Sequence, residues 1–334
     1  MRIVIVGAGA IGGYIGARLA LHGADVVLHA RGPHLEAMRT RGLRVKSPDG
    51  DFEVRPAVTG DLAAVGQADV VVLGVKAHHL PGIAPQLQPL LGPETAVVST
   101  QNGIPWWYFQ RHGGELEGLR LERVDPGGVI ASCIDARRVI GSLAYFSTEV
   151  VEPGVIRHIE GNRISFGELD GSRSERCRRI AEALIAAGFR CPISTRFRHE
   201  IWVKLLGNAA FNPISALTGA TLVEIVRHPD VSRLVREVMT ELEAVASRLG
   251  IELPISIDQR MAGAEKVGEH KTSMLQDLEA GRPLELEAVV GAVVELGDRL
   301  GVPMPATRAV YSCTKLLDGR RPLPKAATVV GAAR

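Results

Sequence analysis

Residues 201–213, "IWVKLLGNAAFNP", set a cation and two amides, Lys204, Asn208 and Asn212, at intervals of four within an apolar stretch. On a helix each step of four turns the side chain by roughly 40°, so the three fall along one face. Burying such groups without partners costs a few kcal/mol each. A positioned ammonium can stabilise developing negative charge and donate a proton. Two amides add donors and acceptors without adding charge. The plainer alternative is a lysine that snorkels to the surface, with asparagines capping the turn at Pro213. A second polar set lies later, Ser273 and Asp277 in "TSMLQDL", then Glu285 and Glu287 in "PLELE". By themselves these acids also suit a helix N-terminus.

Elements that position such groups are legible along the chain. "RIVIVG" reads as a buried strand, "AIGGYIGARLALHG" as a helix, and "ADVVLHAR", "ADVVVLGVK" and "TAVVSTQNG" as further parallel strands. Strands alternating with helices predict a doubly wound sheet. From about Val139, "VIGSLAYFSTEVVEPGVIRHIEGNRISFGEL" reads as short antiparallel strands closing the sheet, followed by an amphipathic helix and a last strand, "RCPIS". After Thr195 only helices are expected, over 196–220, 221–250, 256–280, 284–301 and 305–318. The fold class is therefore α/β plus all-α, with a Rossmann domain over 1–192 and a helical domain over 193–334.

The turn "GAGAIG", Gly7, Ala8, Gly9, Ala10, Ile11 and Gly12, satisfies the dinucleotide fingerprint between a strand and a helix. Its glycines admit a pyrophosphate onto a helix N-terminus. The second strand ends in Arg31 with no acid beside it, and Lys76 follows another strand. A guanidinium suits a 2′-phosphate, so the cofactor reads as NADP rather than NAD. Asn102, in "STQNG", lies at a further strand terminus.

Composition narrows the partners. A net charge of +2 over 334 residues, with no basic run interleaved with aromatics, argues against nucleic acid. The uncharged run from Leu205 to Val223 carries Asn208, Asn212, Pro213, Ser215, Thr218 and Gly219, which argues against a membrane span. Four isolated cysteines show neither disulfide nor metal spacing. The expectation is a cytoplasmic protein with no metal. "AVVGAVVELG" permits a homodimer, and core packing explains it equally well.

Taken in order, "GAGAIGG", the lysine of "GVKAHHL", "QNG", "WVKLLGNAAFNP", "TSMLQDL" and the glutamate of "PLELE" resemble the ketopantoate reductase family over nearly the whole chain. The resemblance implies NADPH-dependent reduction of a 2-oxo acid, 2-dehydropantoate foremost, on a Rossmann domain followed by a helical domain of the 6-phosphogluconate dehydrogenase-like type. It implies that Arg31 and Lys76 bind the 2′-phosphate and that Asn102 contacts cofactor and substrate. Lys204 would be the general acid. Asn208, Asn212 and Ser273 would hold the substrate, and Glu285 would orient groups at the cofactor ribose and reacting centre. Rival readings are a reductase of another branched or aromatic 2-oxo acid and a non-catalytic NADP sensor. The sensor is disfavoured because Lys204 and Glu285 are both present.

The chain departs from the family at Glu287 and Val290, where Asp and Asn are common, at "LAYFSTEVV", and in an insertion, "PWWYFQRHGGELEGLRLERVDPGG". That insertion groups Trp106, Trp107, Tyr108 and Phe109 in a chain with three Trp, four Tyr and seven Phe. The cluster is expected to be either a satellite core that anchors a long connection or a lid over a substrate larger than ketopantoate.

Overall fold

The computed structural model describes residues 1–320. Two compact units divide at Arg198/His199. The sequence placed the division after Pro192. Residues 193–198 remain tied to the first unit: Ile193 bridges Phe166, Ser194 donates its amide to the Phe166 carbonyl, and Arg198 donates to the carbonyls of Tyr108, Leu169 and Gln110.

The first unit comprises β1 (Arg2–Val6), α1 (Ala10–Leu21), β2 (Asp25–His29), α2 (Gly32–Arg41), β3 (Leu43–Lys46), β4 (Phe52–Val54), β5 (Ala57–Thr59), β6 (Ala68–Leu73), α3 (Leu80–Ile83), β7 (Leu91–Ser99), α4 (Val129–Cys133), β8 (Val139–Glu152), β9 (Val155–Glu168) and α5 (Glu175–Ala186). Its sheet has nine strands in the order β4-β3-β9-β8-β7-β6-β1-β2-β5. From β8 through β7, β6, β1 and β2 to β5 every pairing is parallel. Val4, Ile5 and Val6 are fully buried, as a β-branched strand covered on both faces should be. Close packing of α1 needs small residues: a Cβ at Gly16 would lie 2.4 Å from Leu28, and one at Gly13 2.5 Å from Ile156.

Three expectations are corrected. The stretch from Val139 forms two 14-residue antiparallel strands rather than several short ones. This hairpin does not close the sheet, because β3 pairs with β9 and β4 lies outside β3. "RCPIS" forms isolated bridges at Arg190 and Ile193 instead of a regular strand.

Trp106, Trp107, Tyr108 and Phe109 are all buried, none more than 4% exposed. Trp107 donates Nε1–H to Ser99 Oγ at 2.9 Å and packs beside Phe197. Arg198 stands over the Tyr108 ring while holding its carbonyl. The cluster is a satellite core that anchors the insertion to the end of β7.

The second unit holds α6 (Phe197–Thr218, which opens in the last two residues of the first), α7 (Leu222–Arg227), α8 (Pro229–Arg248), α9 (Ile257–Val267), α10 (Ser273–Glu279), α11 (Ala292–Leu300) and α12 (Pro305–Arg320). Among the described residues it contains no strand. The expected helix over 221–250 is interrupted at His228–Pro229, and that over 256–280 at Gly268, which has φ +79°. Proline lacks the N–H a helix interior needs, and a left-handed glycine ends a helix. A π-turn at Glu287–Gly291 leads into α11. Ala288, Val289, Val290, Val293 and Val294 are buried within this unit, so the apolar run "AVVGAVVELG" is core. Among the described residues no helix is long and apolar enough to cross a membrane.

Candidate active site

The first unit carries a dinucleotide turn. Gly7 has φ +95°, and a Cβ there would lie 2.5 Å from Val75. A Cβ at Gly12 would lie 2.3 Å from the Gly7 carbonyl oxygen. Gly9, the residue before α1, faces open space, with nothing within 4 Å of where its Cβ would be. No side chain caps α1, and its first turn holds no acid. The amides of Ala10, Ile11 and Gly12 therefore form an uncapped, electropositive helix start. This open cradle fits a pyrophosphate.

Around it stand two cations. Arg31 is exposed at the start of α2 and Lys76 is half-buried after β6. Both act on one imidazole: His79 is held below its ordinary pKa mainly by loss of solvent, then by Arg31 and Lys76. Two cations close enough to act on one imidazole can together hold an anion. His79 belongs to this cluster and was not singled out in the sequence, although "GVKAHHL" placed it three residues after Lys76.

Asn102 is half-buried in a turn that its neighbours hold fast. Gln101 donates Nε2–H to the carbonyls of Leu73 and Val75 at 2.8 and 2.9 Å, and accepts from Ser99 Oγ at 2.7 Å. Gly103 has φ +81°, which favours glycine. The Asn102 side chain makes no hydrogen bond among the described residues.

The second unit carries the candidate acid-base groups. Helix α6 runs unbroken through Pro213, so the asparagines do not cap a turn there. Lys204 is partly exposed as a residue, yet burial lowers its ammonium pKa to about 8, with Glu285 opposing the shift. Asn208 is half-buried and Asn212 is 7% exposed. Neither amide makes a hydrogen bond among the described residues. Their polar atoms are not sealed from solvent, so water or a ligand can supply the partners. Glu285 lies just ahead of the π-turn, and its carbonyl accepts from the Val289 amide. π-turns recur at functional sites because one extra residue re-aims the side chains beside them.

Ser273 is exposed in the first turn of α10, behind the capping residue Thr272, and no hydrogen bond joins it to the α6 stripe. Asp277 in the same helix is buried against Arg282 at 2.8 Å, a structural ion pair. Gly207 lies between Lys204 and Asn208, and a Cβ there would lie 1.8 Å from an Arg260 nitrogen. The missing side chain admits that guanidinium against α6, a contact the sequence did not signal.

A dinucleotide turn on a mixed, mainly parallel sheet, followed by a helical unit whose lysine is brought down to a pKa of about 8, fits the class of oxidoreductases. Residues 3–171 match the model for Ketopantoate reductase PanE/ApbA, and 196–318 match the C-terminal model of the same family. The chain belongs to the ketopantoate reductase family. A 2-dehydropantoate 2-reductase of Mesorhizobium japonicum is 51% identical over 96% of this chain and 99% of its own length. One from Archaeoglobus fulgidus is 31% identical over 94% and 97%. The crystal structure of a 2-dehydropantoate 2-reductase from Methylococcus capsulatus superposes with a TM-score of 0.81 at 32% identity, over 96% of this chain and 98% of that one.

Proposed function

We propose that this protein reduces the keto group of 2-dehydropantoate to give pantoate, with NADPH as the cofactor. The observation that carries the reading is the α6 stripe: a lysine brought down to a pKa of about 8 with Glu285 acting on it, followed along one face by two amides with no hydrogen bond among the described residues. Bound NADPH supplies the hydride. The open glycine turn holds its pyrophosphate, and Arg31 with Lys76 holds the 2′-phosphate. Lys204 stabilises the alkoxide forming on the substrate oxygen and gives it a proton. Asn208, Asn212 and Ser273 bind the substrate hydroxyls and carboxylate, and Asn102 contacts both ligands. Glu285 favours the charged lysine and orients groups at the ribose.

The test is NADPH oxidation with 2-oxo acids of increasing size. Ketopantoate should give the highest kcat/KM. A markedly higher value for an aromatic 2-oxo acid would reassign the substrate, and no turnover with any would leave a cofactor-binding protein only.

Arg31→Ala should weaken NADPH about ten- to a hundredfold, the loss expected for one charge-assisted hydrogen bond. NADH lacks the 2′-phosphate and should be affected far less. Titration of both cofactors against the variant checks this, and equal losses would remove Arg31 from the phosphate site.

A further inference from the structure

His34 stands in the first turn of α2, three residues after Arg31. Its ring bridges two backbone groups far apart in sequence. Nε2 lies 2.9 Å from the carbonyl oxygen of Ala8, inside the glycine turn. Nδ1 lies 3.0 Å from the amide nitrogen of Gly154, in the β8–β9 turn. The backbone amide can only donate, so Nδ1 accepts and carries no proton. Nε2 therefore holds the proton and donates it to Ala8. Both nitrogens are used, and the tautomer follows from the two partners.

Leu35 buries the first turn of this helix in the core, but no side chain caps its start. Arg31 provides no side-chain cap, and Pro33 has no N–H to donate. The imidazole is the side chain that ties the first turn of α2 to the glycine turn and to Gly154. It thus connects the element that presents Arg31 with the one that receives the pyrophosphate.

We propose that His34 is a positioning residue for cofactor selectivity, holding the Arg31 end of α2 at a fixed distance from the glycine turn so that one NADPH spans both. The proposal rests on the assignment of the 2′-phosphate to Arg31. Net hydrogen bonds contribute about 0.5–1.5 kcal/mol, which corresponds to a loss of roughly two- to twelvefold.

The experiment measures Kd for NADPH and NADH by fluorescence titration, with melting temperatures, for wild type, His34→Phe, His34→Gln and Arg31→Ala. Phenylalanine keeps a ring but neither hydrogen bond. Glutamine keeps a donor and an acceptor. The expected result is a fall of about two- to twelvefold in the NADPH preference of His34→Phe, with most of the preference kept in His34→Gln. Equal weakening of both cofactors in His34→Phe overturns the proposal, as does a lower melting temperature with the preference intact. Should His34→Phe fail to fold, His34→Ala takes its place: a fall in NADPH preference supports the proposal, and a wild-type preference overturns it. An Arg31→Ala protein with wild-type preference instead refutes the phosphate assignment, and so is read separately.

Discussion

Lys204→Ala should lower kcat for keto-acid reduction by about 10²–10⁴-fold, the range for removing a general acid. The truncated side chain leaves nothing on the first position of the α6 stripe to meet an alkoxide. NADPH affinity should change little, since the glycine turn, Arg31 and Lys76 all belong to the first unit. The same lysine sets a pH dependence. Its pKa is lowered to about 8, so the ammonium is intact at neutral pH and lost as pH rises through that value. The rate of reduction should therefore fall on the alkaline side with a midpoint near 8. Steady-state kinetics from pH 6 to 10 check both expectations. A variant with near-normal turnover, or a wild-type profile flat through pH 9, would remove Lys204 from the chemistry. Glu285→Gln extends the test: Glu285 raises the lysine pKa, so the alkaline midpoint should move downward.

Trp107→Ala should cost about 3–5 kcal/mol of stability, as large aromatic truncations in cores do. The indole is 2% exposed, packs beside Phe197 and approaches Gly141 so closely that a Cβ there would lie 2.8 Å away. It also donates to Ser99, whose hydroxyl donates in turn to Gln101 in the turn that carries Asn102. Its loss empties a cavity and strips one partner from that chain. Trp107→Phe fills most of the space and should cost less. Denaturation followed by circular dichroism measures the difference, and kcat/KM across 2-oxo acids measures any change in substrate ranking. Unchanged stability with a reordered ranking would show that the aromatic cluster acts on the substrate rather than as an anchor.

How far the sequence reached follows from the range of the interactions involved. A β-branched run ahead of "GAGAIG", a strand ending in Arg31, and a lysine with two asparagines spaced by four are local patterns. Backbone periodicity turns each directly into geometry: a strand and turn aimed at a helix N-terminus, a cation at a strand end, one polar stripe on a helix. Those patterns determined the fold class and named the candidate cofactor turn and polar stripe. The fold reading held because no distant contact was needed to interpret it. Tertiary structure decided the rest. Whether "PWWYF" anchors or covers depended on Ser99, Phe197 and Arg198 being there to receive it. The place of the β8–β9 hairpin depended on β3, more than a hundred residues earlier, pairing with β9. His34 reads in sequence as an ordinary residue of a first helical turn. Its proposed role comes from the Ala8 carbonyl and the Gly154 amide, which only folding brings to either side of one ring. The acidity of Lys204 is of the same kind, since burial lowers its pKa and Glu285 opposes the shift, neither of which its own helix spacing specifies.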